Sequence, residues 1–443
     1  MREEIGRYQV LRKIGRGGMG EVFKALDPDT GEVVAVKTLR PFEALVDIVG
    51  FDRLRELFIS EAETMSFLDH PAVVNILGAG KDDDGTPYFV MEFFCNNLGR
   101  MIGEGFRMES RSRLIRPAKV LDYGRQLLHA LSHLHRNRVV HRDIKPFNIM
   151  ITDNDLLRIC DFGSALVDDI SFSGVEGVKI GSPFYAAPEQ NRDPGKVDAR
   201  ADLYSAGVLL YRMVTGELPS MRGFSLSQVN PAFDPFWDEF FARALSLQPD
   251  SRFQSAEEMN ESLGRLKLRD VDRLSVSPRS SGGEESEKIV ILRKVPLNVC
   301  GRKALAAFDL DELFLPENPV VNDLVSFDRE MVLDRATGLV WQFQGSDRSM
   351  TLEEAGEYLA GLNREKIGGR ENWRLPTVSE LLSLLHSMTP EAGREVSPRQ
   401  GWLWSSDLHG RRDAWYVNLD MGYVDWQDVS CRNFVRAVSD EAT

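Results

Sequence analysis

The stretch "VVHRDIKPFNIM" (139–150) packs five polar residues into eight positions: His141, Arg142, Asp143, Lys145 and Asn148. Val139-Val140 precede them, and Ile149-Met150-Ile151 follow. Apolar anchors on both sides imply a built-in segment, and polar groups held there need partners. Asp143 can orient an attacking hydroxyl or accept its proton. Lys145 can neutralise charge on a transferring phosphoryl group, and Asn148 offers Mg²⁺ a hard oxygen. Thirteen residues after Asn148, "CDFGSA" supplies Asp161 as a second hard ligand, with Gly163 giving the backbone room to turn. Phosphoryl transfer from Mg·ATP asks for this set, because it needs positioning and charge neutralisation more than covalent help.

Two upstream stretches fit the same chemistry. "IGRGGMGEV" holds Gly15, Gly17 and Gly20, with Val22 two beyond. In a dinucleotide site such glycines close a strand and open a helix. Here "EVFKALD" reads as another strand and is followed by Pro28 and a "DTG" turn. A hairpin flap laying backbone amides over phosphates fits; a hairpin without ligand fits this motif equally well. In "VAVK", Lys37 ends a β-type run beside Val and Ala, an awkward place for an ammonium without an anion. The helix downstream offers Glu61 and Glu63. Glu61 is the expected partner, being near mid-helix and next to the small Ala62.

The elements that must position these groups can also be read. "RYQVLRKIG", "EVFKALD" and "EVVAVKTL" are strand-like. "FDRLRELFISEAETMSFLDH" places Phe51, Leu54, Phe58, Met65 and Leu68 near one helical stripe. Beyond residue 118 the pattern is mostly helical, with "PAKVLDYGRQLLHALSHLH" and "ADLYSAGVLLYRMVTG" the clearest helices. The second should end at Gly216. A small sheet lobe followed by a larger helical lobe is expected. His129 and His133 have metal-pair spacing but lack the Glu of HExxH, so they read as helix residues near the interior.

Tryptophan divides the 443-residue chain: of seven, only Trp237 precedes residue 300. Residues 269–288 are rich in Ser, Gly and charge and read as a flexible linker. Residues 289–320 are more apolar without a period and read as a connector packing on a neighbour. The net charge of -14 argues against nucleic-acid binding. Cys95, Cys160, Cys300 and Cys431 show no CxxC spacing, which suggests neither a zinc ribbon nor a disulfide framework and fits a reducing cytoplasm. The start "MREEIGRYQV" has no apolar signal region, and no run reaches membrane-span length. The expectation is a cytoplasmic protein without a membrane span.

Residues 8–268 resemble the catalytic domain of eukaryotic-type Ser/Thr protein kinases, of the kind bacteria also carry. The motifs occur in family order: "GRGGMGEV", "VAVK", "SEAETMSFLDHPAVV", "YFVMEFF", "HRDIKPFN", "DFG", "GSPFYAAPE", "DLYSAGVLLYRMVTGELP" and "DSRFQSAEE". The resemblance implies an α+β, bilobal protein kinase fold using ATP and Mg²⁺. It implies a nucleotide site drawn from Ile14, Gly15, Gly17, Gly20, Val22, Ala35 and Lys37, with Glu61 holding Lys37. Met91 would be the gatekeeper and Glu92 to Phe94 the adenine hinge. Asp143 would be the base, Lys145 the γ-phosphate contact, and Asn148 and Asp161 the Mg²⁺ ligands. Glu189 would pair with Arg252, and Asp202 would hold the catalytic-loop backbone. Lys145, two after Asp143, goes with Ser/Thr rather than Tyr acceptors in this family. Protein substrates follow, with self-phosphorylation at Ser171 or Ser173, or at Ser275, Ser277, Ser280 or Ser281. A non-catalytic ATP-binding scaffold is the alternative, although scaffolds of this kind commonly lose Lys37, Asp143 or Asp161. A small-molecule phosphotransferase is disfavoured by "GSPFYAAPE", which protein kinases use for peptide docking.

The C-terminal part, placed at 321–440, reads as small α+β. Thr351 to Glu354 and Thr377 to Glu380 form capping boxes. "AWYVNLDMGYVDW" reads as a hairpin and "RNFVRAV" as a closing strand. Residues 326–438 resemble the Lcl C-terminal domain family, which implies a C-type-lectin-like fold related to formylglycine-generating enzymes. Trp341, Trp373, Trp402, Trp404 and Trp415 are either core or anchors of a binding surface. The module is expected to recognise or sense an unidentified ligand or partner.

Overall fold

A computed structural model describes residues 3–105, 110–163, 184–192, 196–219, 226–230, 233–267, 290–326, 330–385 and 401–440. The candidate phosphorylation sites Ser171, Ser173, Ser275, Ser277, Ser280 and Ser281, and the linker 269–288, lie outside the described residues. The chain divides into two compact units, Met1–Arg269 and Asp270–Thr443.

The first unit opens with an antiparallel sheet. Its strands are β1 (Glu4–Ile5), β2 (Tyr8–Arg16), β3 (Gly20–Leu26), β4 (Val33–Leu39), β5 (Ile76–Lys81) and β6 (Pro87–Glu92), in the order β1-β2-β3-β4-β6-β5. Because side chains alternate between faces, Ile5, Tyr8, Phe23, Val36 and Val90 build an apolar cluster on one face. Val22, Ala35 and Lys37 belong to the opposite register, with Val22 directly across from Lys37. The turn between β2 and β3 needs glycine at position 20. A Cβ there would come within 2.2 Å of the Thr38 carbonyl oxygen.

Two helices connect β4 to β5. α1 (Glu43–Val49) buries none of its residues, which is why no apolar period announced it. α2 (Phe51–Phe67) buries Leu54, Leu57, Phe58, Glu61, Ala62 and Met65. Its buried stripe begins one turn later than expected, and Phe51 is 47% exposed. Phe58 and Ala62 pack on Leu39 and Phe89 of the sheet, which places Glu61 beside β4.

The rest of the unit is mostly helical. A short sheet of β7 (Asn96–Asn97), β8 (Ile149–Ile151) and β9 (Leu157–Ile159) carries the polar motif between its strands. α3 (Leu98–Met101) and α4 (Pro117–Arg136) pack on it, and α5 (Pro188–Arg192), α6 (Arg200–Thr215), α7 (Leu226–Val229), α8 (Pro235–Ala244) and α9 (Ala256–Leu263) complete the helical part. α6 is buried along most of its length and ends, as expected, at Gly216 with φ 72°. His133 is half-buried but His129 is exposed, so only one of that pair lies near the interior. No group of His, Cys, Asp and Glu able to hold a metal by itself occurs among the described residues. Among them also, no helix is long and apolar enough to cross a membrane.

The second unit combines α10 (Lys303–Phe308), α11 (Leu352–Glu365) and α12 (Val378–Ser383) with two antiparallel sheets. One contains β10 (Leu324–Ser326), β11 (Met331–Asp334), β12 (Leu339–Gln342) and β16 (Val438–Asp440); the other is β13 (Trp402–His409), β14 (Asp413–Asn418) and β15 (Tyr423–Asp428). Both capping boxes form, and the hairpin is β14–β15, with Trp415 opposite Trp426. The final strand starts only at Val438; "RNFVRA" makes isolated bridges instead, Asn433 to Met350 and Phe434 to Leu403. Ala304, Phe308 and Leu310 share one core with Trp341, Leu403 and Trp415, so residues 303–310 are built into this unit. Trp341, Trp404 and Trp415 have no exposure, and Trp373 and Trp402 are buried. These five tryptophans are core, the first of the two readings left open for them.

Candidate active site

Sheet register aims Lys37 at α2. Its ammonium donates to Glu61 Oε1 at 2.8 Å, to Glu61 Oε2 at 3.0 Å and to Asp161 Oδ1 at 2.9 Å. Glu61 is fully buried, whereas the rejected candidate Glu63 is exposed. One ammonium between two carboxylates sets all three titrations. Burial alone would lower the Lys37 pKa, but Asp161 and Glu61 outweigh it and hold the group charged. The Lys37 charge keeps the Asp161 carboxyl well below the usual carboxylate range. Glu61 moves the other way, pushed up to about 7, because burial and the second carboxylate exceed the pull of Lys37.

The polar motif between α4 and β8 is held from beneath. Asp202 in the first turn of α6 is fully buried. Its Oδ2 accepts from the His141 backbone N–H at 2.8 Å, and its Oδ1 from that of Arg142 at 2.7 Å. His135 Nε2, from the last turn of α4, lies 2.9 Å from Asp202 Oδ2. Arg142 adopts φ 64°, a left-handed conformation uncommon for a side chain of its size, and this reverses the chain toward Asp143. Lys145 Nζ donates to Asp143 Oδ2 at 2.5 Å. Asn148, closing a 3₁₀ turn, donates from Nδ2 to the Asp143 carbonyl oxygen at 2.9 Å and to its Oδ2 at 3.1 Å. The Cys160 N–H donates to the Asn148 carbonyl at 3.0 Å, and His141 Nε2 meets the Cys160 carbonyl at 3.2 Å. Phe162, fully buried, packs on the His141 ring at 4.8 Å. The stretch carrying Asp161 is thereby registered against the one carrying Asp143.

The sheet side carries the residues expected to enclose a nucleotide base. Ile14 is 41% exposed, Val22 is half-buried and Ala35 is buried. Met91 lies opposite Ala35 in the β4–β6 register and packs on the Phe58–Phe89 cluster. Glu92 accepts from the Asn75 N–H at 3.1 Å and from Arg158 at 3.2 Å, and Arg158 also lies over the Phe94 ring. The side chains of Glu92 and Phe94 are thus both engaged within the domain. The loop Gly17–Gly20 is closed by a Gly17 N–H bond to the Gly20 carbonyl at 2.8 Å. Farther down, fully buried Arg252 binds Glu189 at 2.6 and 2.8 Å through two nitrogens.

Residues 8–267 match the protein kinase domain family. The chain belongs to that family. Residues 330–439 match the Lcl C-terminal domain. Over 281 residues the chain is 37% identical to serine/threonine-protein kinase PksC of Streptomyces coelicolor, covering 59% of this chain and 49% of the relative. It is 36% identical over 273 residues to the probable serine/threonine-protein kinase SCO3848 of the same organism, covering 57% of this chain and 39% of that protein. Identity to PrkC of Bacillus subtilis is 31% over 287 residues, covering 61% of this chain and 42% of PrkC. The chain thus spans two fifths to half the length of these curated relatives.

Within the kinase domain, Lys37, Glu61 and Asp161 meet in one cluster, and Asp143, Lys145 and Asn148 in another. Sequence reasoning missed His135 as a partner of Asp202. It also missed Gln190, which donates to the Arg142 carbonyl at 2.7 Å. Neither lies in a motif spaced for chemistry. Asp161, its side chain 44% exposed, is a hard anionic oxygen donor. Asn148 spends its amide nitrogen on Asp143, leaving Oδ1 outside those bonds. This donor set suits Mg²⁺.

Proposed function

We propose that this chain is a protein serine/threonine kinase that moves the γ-phosphate of ATP to Ser or Thr hydroxyls of protein substrates, its own chain included. The observation that carries the reading is Lys37 bonded to both Glu61 and Asp161. This paired arrangement puts an ammonium where α- and β-phosphates need one. In this reading Ile14, Val22, Ala35 and Met91 enclose adenine, and the backbone of Glu92 to Phe94 takes its polar edge. The amides of Gly15, Gly17 and Gly20 cover the phosphates. Asn148 and Asp161 hold Mg²⁺, which neutralises phosphate charge when bound. Asp143 orients the acceptor hydroxyl and accepts its proton as oxygen bonds to the γ-phosphorus. The bond from that phosphorus to the β,γ-bridging oxygen breaks and ADP leaves. Lys145, now on Asp143 Oδ2, is placed to follow the transferring group. We place the protein in the cytoplasm, where Mg·ATP is available.

The C-terminal unit is, in this proposal, a lectin-like recognition or sensing module, supported by its match to the Lcl C-terminal domain and by its mixed helices and sheets. Its ligand would choose the partner or location of the kinase. The scaffold alternative is disfavoured by Lys37, Asp143 and Asp161 all being present and bonded.

The test is transfer of radiolabelled phosphate from ATP by the purified wild type and by Asp143→Asn, followed by mapping of labelled sites. Asp143 acts on the transition state and not on ground-state ATP. The variant should therefore lose at least about a hundredfold in turnover while nucleotide affinity stays near wild type. Equal turnover in the two proteins would remove the kinase assignment.

A further inference from the structure

The kinase domain contains a second buried polar cluster that the transfer mechanism leaves unused. Tyr185 is 2% exposed and its hydroxyl donates to both carboxylate oxygens of Glu104, at 3.1 and 3.2 Å. Glu104 is itself buried and lies 3.9 Å from Nη2 of Arg212 on α6. Arg212 is 1% exposed, and its side chain donates from Nη2 to the Ser110 carbonyl at 3.2 Å. Among the described residues, its Nε and Nη1 have no hydrogen-bond partner. A buried ion pair this loosely bonded adds little stability over an apolar pair of similar volume. Its effect has to be sought in what it orients.

The cluster adjoins the reaction on two sides. Glu104 feels the charge of Lys145, the residue bonded to Asp143. Tyr185 belongs to the segment Phe184–Gln190, which is tied down at both ends. Ser205 Oγ on α6 donates to the Tyr185 carbonyl at 2.8 Å. Gln190 accepts from the Ala187 N–H at 2.9 Å while donating to the Arg142 carbonyl, one residue before Asp143. Immediately before the first tie Phe184 is 39% exposed, so the segment carries an apolar group to the surface.

We propose that Tyr185, Glu104 and Arg212 form a positioning cluster that sets the height of the acceptor-docking segment 184–190 relative to Asp143, and so governs acceptor affinity without touching ATP. The inference rests on the kinase reading. Tyr185 fixes the segment through Glu104, and the Arg212 charge favours the carboxylate form of Glu104 against burial, which pushes its pKa up. Losing one charge-assisted bond should misplace the docking segment while leaving Lys37, Asn148 and Asp161 undisturbed.

The experiment is steady-state kinetics of the full chain with a generic protein acceptor, varying acceptor and ATP separately. Tyr185→Phe keeps the core volume and removes only the hydroxyl. It should raise KM for the acceptor about fivefold to tenfold, with KM for ATP unchanged and kcat within twofold. Arg212→Met strands a buried carboxylate and should do more. Adding Glu104→Gln removes that stranded charge, while the amide oxygen still accepts from Tyr185, so the double variant should recover most of the acceptor KM. Melting temperature is measured alongside; the rescue separates orientation from simple unfolding. An active wild type with an unchanged acceptor KM in Tyr185→Phe overturns this inference alone. Equal rises in both KM values, or no rescue, overturn it as well. A wild type that transfers no phosphate removes the kinase reading and this inference with it.

Discussion

Asp202→Asn is the sharpest probe of how the catalytic loop is held. Burial raises the Asp202 pKa, but hydrogen bonds from His135 and the His141 backbone, with the charges of both imidazoles, outweigh it and leave the pKa lowered. The carboxylate takes three bonds between 2.7 and 2.9 Å. An amide loses the charge on all of them, at about 0.5–1 kcal/mol each, and turns an NH₂ toward one donor, stranding it for about 1–3 kcal/mol more. The sum is about 2.5–6 kcal/mol. At about 2 °C per kcal/mol for a domain of this size, the melting temperature should fall by about 5–12 °C. Release of the His141 and Arg142 amides also frees Asp143 to drift, and a shift of about 1 Å is enough for a hundredfold loss in kcat. The lowered folded-state pKa means that this stabilisation is present above the unfolded carboxylate value near about 4 and is lost as pH falls through the folded value. The deficit of the variant should thus be present above about pH 4 and shrink as pH falls below it. Scanning calorimetry on both proteins, with kcat measured at 25 °C, tests this. A drop under about 2 °C together with kcat within twofold of wild type would refute the reasoning.

Lys37→Met leaves Glu61 and Asp161 without their cation and should cut kcat/KM for ATP by about a hundredfold or more; wild-type turnover would mean that Lys37 is not a phosphate contact. His70 Nδ1 accepts from the Ala72 N–H at 3.1 Å, and its ring stacks on His133 at 4.5 Å. Burial and the charges of His133 and His129 lower its pKa against the opposing Asp69. The stabilisation is present above the unfolded value near about 6.5 and is lost as pH falls through the lower folded value. His70→Asn, which keeps an acceptor but takes no proton, should show a smaller melting-temperature drop than wild type between pH 7.5 and 5.5. An equal drop would place the acid sensitivity elsewhere. Truncation after Lys267 should leave a soluble kinase active on a generic acceptor but with changed targets in cell lysate; a soluble truncate inactive on that acceptor would make the C-terminal unit part of the catalytic machine.

Much of the site was legible because its spacing is local. Asp143, Lys145 and Asn148 fall within six positions, and their order already states a chemistry. Lys37 was readable from the misfit of an ammonium on an apolar strand, and Glu61 from its small neighbour. The supports were not legible. His135 reaches Asp202 across 67 positions, Gln190 reaches Arg142 across 48, and Tyr185 reaches Glu104 across 81. No periodicity links residues so far apart. Residues 303–310 lack a clean period because Ala304, Phe308 and Leu310 fit a core made by later strands. The tryptophans could be read in sequence as core or as surface anchors, and packing decides it: Trp341 and Trp415 sit in one core of the C-terminal unit and Trp373 in another.

The placement of those indoles makes the protein its own spectrometer. Six of seven lie in the C-terminal unit, and the remaining one, Trp237, is 1% exposed on α8, with its ring nitrogen bonded to the Lys267 carbonyl at 3.2 Å. Intrinsic emission is therefore weighted toward the packing of the second unit. Trp415 and Trp426, with ring centroids 5.2 Å apart, form a close pair at its centre. Nucleotide entering beside Lys37 meets no indole among the residues that line the cleft. A red shift during unfolding would mainly time the opening of the C-terminal unit, with Trp237 the one indole reporting on the kinase domain.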